Sequence, residues 1–128
     1  EGGNAYLGRA NAETLAFAMI ETRAALDSLD AILAVEGIDA VFVGPADFSI
    51  AWTGGERLEP TLDDMMDAVA GIATRAKKAG KLAGIFAADP AMVPRYAQMG
   101  YGLIAAGFDA AIVRKGADAV LSAARGDR

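Results

Sequence analysis

Short, uninterrupted apolar runs recur along the chain at residues 15–20, 40–43, 82–87 and 102–107. They are rich in β-branched, aromatic and small residues and are bounded by glycine, proline or an acid. Such runs predict strands buried on both faces, as in a parallel sheet. Between them the apolar positions change to helical spacing. Leu26, Leu29, Ile32 and Leu33 form one stripe, and Leu62, Met65, Met66, Val69, Ile72 and Ala76 a longer one. Met92, Val93, Tyr96 and Ala97 form a third, and a last helix is predicted over roughly 110–124.

The helix boundaries carry their own signals. Thr22 is placed to cap the first helix and Gly37 to end it. Thr61, with Asp64 three residues on, predicts the start of the long helix as a weak capping box. Lys77 and Lys78 favour its carboxyl end, and Gly80 stops it. Asp89-Pro90 reads as an N-cap and first helical position, and Gly100 as the stop. Residues 1–14 read as a polar loop with a helical turn near 10–14. Residues 49–60, with Gly54-Gly55 and the only tryptophan, Trp52, read as a long loop.

Four strands alternating with four helices predict an α/β fold of parallel strands joined by right-handed crossovers. No linker or low-complexity stretch divides residues 1–128, so one domain is expected. A closed (β/α)8 barrel needs about 250 residues, and 128 residues amount to roughly half of one.

Composition narrows the function classes. With 54% hydrophobic residues the chain is not a disordered one. A net charge of −5 gives no basic patch for nucleic acid, and no apolar run approaches a membrane span. The lack of cysteine fits a cytoplasmic setting. The lack of histidine removes imidazole, as general base or metal ligand, from this chain.

The candidate chemistry gathers where strands end. Gly44 and Pro45 stop the run 40–43, and Asp47 follows. Glu21 closes the run 15–20. Ligands of α/β folds bind at the carboxyl ends of strands. Two acids at one rim offer hard oxygen ligands for a divalent cation such as Mg or Mn. By position alone each acid serves equally well at a helix N-terminus, and Asp89 and Asp109 suit capping and rim hydrogen bonding. Ala46 and Asp47 have backbone N–H groups to offer an anion, whereas Pro45 has none.

These residues also carry a resemblance. Ala18-Met19-Ile20-Glu21-Thr22-Arg23-Ala24-Ala25-Leu26, Val35-Glu36-Gly37-Ile38-Asp39 and Val43-Gly44-Pro45-Ala46-Asp47-Phe48-Ser49 resemble the C-terminal half of the HpcH/HpaI aldolase family. The likeness runs from about Asn4 to the C-terminus. It implies the C-terminal (β/α)4 half of a TIM (β/α)8 barrel. It also implies a metal-dependent (class II) pyruvate aldolase that cleaves 4-hydroxy-2-oxo (2-keto-3-deoxy) acids to pyruvate and an aldehyde.

By the same resemblance, Glu21 and Asp47 ligate Mg or Mn. Gly44, Pro45, Ala46 and Asp47 form the turn facing the substrate carboxylate. Phe86 stands where the family often has a leucine lining the aldehyde pocket, although core packing is the simpler role for it. Met19 stands where a glutamine is usual. Arg23 is expected to pair with neighbouring carboxylates, and Trp52 to pack on an exposed loop. The family's catalytic histidine and pyruvate-gripping arginine belong to the N-terminal half and have no counterpart here. The chain alone is therefore expected to be inactive, its partner being the missing half-barrel or further copies in a homo-oligomer. The rival expectations are a citrate- or malyl-CoA-type lyase on the same scaffold and a non-catalytic half-barrel assembly module.

Overall fold

The computed structural model describes residues 2–126. Two short helices, α1 (Gly3–Leu7) and α2 (Ala10–Glu13), lead into β1 (Phe17–Ile20), α3 (Arg23–Asp27) and α4 (Leu29–Leu33). Next come β2 (Ala40–Val43), α5 (Pro45–Trp52), α6 (Asp63–Lys78) and β3 (Leu82–Ala87). A 3₁₀ turn (Pro90–Met92), α7 (Val93–Met99), β4 (Leu103–Ala106) and α8 (Asp109–Arg125) complete the order.

All four strands pair in parallel, in the order β1-β2-β3-β4. This is the α/β architecture that the alternation predicts, with β1 and β4 as the two sheet edges. The register aligns Ile20, Val43, Ile85 and Ile104 in one row across the sheet. The first three are fully buried. They share a core with Leu29, Leu33 and the α6 stripe Met65, Met66, Val69, Ile72 and Ala76.

The opposite face departs from the expectation of strands buried on both sides. Met19 is 48% exposed and Leu103 47% exposed, because the helices cover only one face of the sheet. The apolar runs are those of a sheet with two covered faces, and the second covering layer is absent among the described residues. Helix α8 likewise has no buried residue, and its Ile112 and Val113 lie open.

Other boundaries differ for local reasons. The start of the chain forms α1 as well as the turn that became α2. The first predicted helix is two helices broken at Ser28, whose backbone (φ −90°, ψ 6°) leaves the helical region. Its Thr22 cap does form, with Thr22 Oγ1 accepting from Ala25 N at 3.1 Å. The capping box at Thr61 does not form. Helix α6 starts after Leu62, which has no capping side chain. Asp63 and Asp64 instead place negative charge in the first turn, where the helix dipole favours it.

The largest correction is the loop expected over 49–60, whose first part lies in α5. Pro45 ends the strand but also begins this helix, since its fixed φ suits a first turn and its missing N–H is not needed there. Asp89 caps the 3₁₀ turn as expected, accepting from Ala91 N at 2.9 Å. Of the third predicted stripe, Tyr96 is buried while Ala97 is exposed.

Candidate active site at the carboxyl ends of the strands

Glu21 is the residue after β1, and the pairing of Ile20 with Val43 sets it beside Gly44. Gly44 has φ −99° and ψ 90°, a conformation open to any residue. What glycine supplies here is space. A Cβ at Gly44 would lie 2.9 Å from Glu21 Oε2 and 3.4 Å from Met19 Cε. The carboxylate of Glu21 thus lies directly over the backbone of the strand that leads to Asp47.

Asp47 occupies the first turn of α5. The first intrahelical bond runs from Phe48 N to Gly44 O, at 2.9 Å. The amides of Ala46 and Asp47 precede it, among the N–H groups that a helix cannot satisfy itself. Ser49 anchors the turn from below. Its buried hydroxyl donates to Ala46 O at 2.7 Å and accepts from Glu59 N at 2.9 Å. Nothing in the sequence pattern had singled out Ser49, because its role depends on the return of a segment ten positions away.

Glu21, Gly44, Pro45, Ala46, Asp47 and Phe86 all line one cleft of about 370 Å³. The structure thus gathers all the residues that the sequence nominated. It adds Met19, Phe42 and Phe108 to the wall. Phe108 lies just past β4, and its ring centroid is 4.8 Å from that of Phe86. Phe42 leans over Gly84, where a Cβ would meet the ring at 2.6 Å. Only the tertiary structure could reveal these neighbours, since they come from separate strands. A recess of about 610 Å³ between the carboxyl ends of α4 and α6 is larger. It lies away from these carboxylates, and Arg75 there already pairs with Asp30 at 2.9 Å. That hydrogen bond holds the Asp30 carboxyl below the usual carboxylate range.

Two expectations about neighbours change. Among the described residues Arg23 pairs with no carboxylate. It donates to Trp52 O at 2.7 Å and stacks on the indole at 4.3 Å. Trp52 is not on a loop but at the end of α5, half-buried and tilted on Phe48. Asp109 bonds locally, accepting from Ala110 N at 2.7 Å.

A metal is tested by the donor set. No group of three or more His, Cys, Asp or Glu side chains converges among the described residues, so this cleft offers the Glu21 and Asp47 pair alone. Two hard carboxylates lining one cleft are the donor type that an oxygen-seeking dication takes.

Comparison with known proteins agrees with this architecture. The family model described as HpcH/HpaI aldolase/citrate lyase matches residues 3–116. A hydroxypyruvate/pyruvate aldolase of Roseovarius nubinhibens is 35% identical over 122 residues, covering 95% of this chain and 47% of that protein. A 2-keto-3-deoxy-L-rhamnonate aldolase of Klebsiella pneumoniae is 36% identical, covering 95% and 45%. The crystal structure of a family protein from Burkholderia cenocepacia superposes with a TM-score of 0.82 at 32% identity, covering 94% of this chain and 46% of that one. The chain spans about half the length of the curated relatives it matches. It belongs to the HpcH/HpaI aldolase/citrate lyase family.

Proposed function

We propose that this chain is the C-terminal (β/α)4 half of a divalent-metal-dependent pyruvate aldolase. The reaction is reversible cleavage of a 4-hydroxy-2-oxo acid to pyruvate and an aldehyde. The observation that carries the reading is the convergence of Glu21 and Asp47 on one cleft at the carboxyl ends of adjacent parallel strands. The relatives' names, which are aldolases of hydroxypyruvate/pyruvate and of 2-keto-3-deoxy-L-rhamnonate, support the substrate class.

In this reading Glu21 and Asp47 hold Mg or Mn. Bound there, the cation supplies electrostatic stabilisation of the charge that develops on the oxo acid as the carbon–carbon bond breaks. The amides of Ala46 and Asp47 receive the substrate carboxylate, and the turn from Gly44 through Pro45 shapes their approach. Phe86 lines the side on which the aldehyde leaves. Cleavage removes the proton of the 4-hydroxyl, breaks the C3–C4 bond and returns a proton to C3. This chain has no histidine for those transfers. The acid–base group and the arginine that grips pyruvate come from the other half of the barrel, so the chain alone is inactive or nearly so. Its partner is that half, or a further copy, and the setting is the cytoplasm. No helix of the described residues is long and apolar enough to cross a membrane. A CoA-thioester lyase is the weaker reading, because among the described residues no basic side chain for the phosphates of CoA lines the cleft.

Manganese titration tests the proposal. The folded chain is expected to bind Mn, and a Glu21→Ala, Asp47→Ala double variant to lose that binding while keeping its fold. A well-folded chain that binds no Mn would favour a non-catalytic assembly module. Robust pyruvate release from an oxo acid by the chain alone would contradict the dependence on a second half.

A further inference from the structure

The cleft is divided by strand. Its charge lies on the β1 and β2 side, where Glu21 and Asp47 stand. The β3 and β4 side carries Phe86 and Phe108, in contact at 4.8 Å. Met19 on β1 and Phe42 on β2 add apolar surface to the lining. Among the described residues no lysine or arginine lines the cleft. Adjacent strands lie about 4.8 Å apart, so the strand preceding Phe108 is about 10 Å across the sheet from the strand preceding Asp47. A short oxo acid held at the carboxylates leaves that far side free for the second reactant.

We infer that the paired rings of Phe86 and Phe108 make this site select an apolar carbonyl partner, an aryl or alkyl aldehyde, over one bearing a carboxylate. An aromatic group gains ring contact and loses water there. A carboxylate on the same wall loses hydration and finds no cation from this half of the site. Phe108 is 55% exposed in this chain. The inference rests on the aldolase reading for the carbonyl group, and on the cleft alone for its apolar character.

Two arms test it and separate it from that reading. In the first, the whole enzyme condenses pyruvate with benzaldehyde or with succinic semialdehyde. The expected result is a kcat/KM for benzaldehyde higher by roughly 10-fold or more, the scale of discrimination by apolar pockets. Phe108→Arg, at an exposed position, should reverse the order. Equal or reversed preference in the unaltered enzyme overturns the inference. In the second arm the chain is titrated with the unreactive alcohols, benzyl alcohol and 4-hydroxybutyrate, while the Met19, Phe86 and Phe108 resonances are followed by NMR. Benzyl alcohol should shift them at the lower concentration, and the opposite order, or no shift, overturns the inference. If no aldehyde reacts, the aldolase reading fails and the second arm still decides the apolar selection.

Discussion

Replacing Gly44 with alanine separates ligand geometry from stability. The new Cβ would sit 2.9 Å from Glu21 Oε2, whereas 3.4 Å and beyond is ordinary contact. The carboxylate must retreat by about 0.5 Å, the limit within which a ligating group has to be held. The end of a glutamate side chain moves easily, so the fold suffers little. At φ −99° and ψ 90° alanine is unstrained. Its smaller unfolded-state entropy stabilises by about 0.4–1 kcal/mol, and the poorer N-cap costs a similar amount. Net stability should therefore stay within about 1 kcal/mol of the parent. Metal affinity should fall about 10- to 100-fold, as when a supporting contact of a metal ligand is lost. That loss is about 1.4–2.8 kcal/mol. Free Mn counted by electron paramagnetic resonance, alongside a urea melt, reads both quantities. Unchanged Mn affinity in a folded Gly44→Ala protein would refute the placement of Glu21 as a ligand, and an affinity loss explained entirely by unfolding would refute the small stability change.

Two further outcomes concern the core. Tyr101 buries its hydroxyl and donates to Val69 O at 2.8 Å, so Tyr101→Phe should lower stability at neutral pH by about 1 kcal/mol in a urea melt. Burial pushes the Tyr101 phenol up from its ordinary value. The unfolded chain therefore releases that proton above about pH 10 while the folded one keeps it. Its contribution is whole below pH 10 and declines above it by up to about 1.4 kcal/mol per pH unit. The Phe variant should show a shallower alkaline limb, though not a flat one, since burial also raises Tyr96; identical limbs would refute the assignment. Phe48, fully buried and 5.8 Å from Trp52, should cost about 3–5 kcal/mol on truncation to alanine. The emission of the only tryptophan should shift to the red in the folded variant. A loss under about 1 kcal/mol would mean that Phe48 is not a core residue.

The order of strands and helices was legible because each element needs only its own residues. Continuous apolar runs mark 40–43 and 82–87 as strands, and the 3.6-residue recurrence from Leu62 to Ala76 marks a helix, whatever else is nearby. Glu21, Asp47 and the Gly-Pro turn stood out as candidates for the same reason, being local signals at strand ends, whereas the roles expected of them, and of Phe86, came from the family resemblance. Helix α5 was hidden because its residues are nearly all apolar or small and lack a polar face to mark the period, and because Pro45 reads equally as a stop or a start.

What residues 15–20, 40–43, 82–87 and 102–107 decided by themselves is that they become strands, with acids waiting at two of their ends. The register decided the rest. It set Glu21 over Gly44 and brought Phe108 onto Phe86. It also left Met19 and Leu103 on a face that no helix of the described residues covers. Such facts depend on distances between segments far apart in the chain, and parallel pairing, not any local preference, determines those distances.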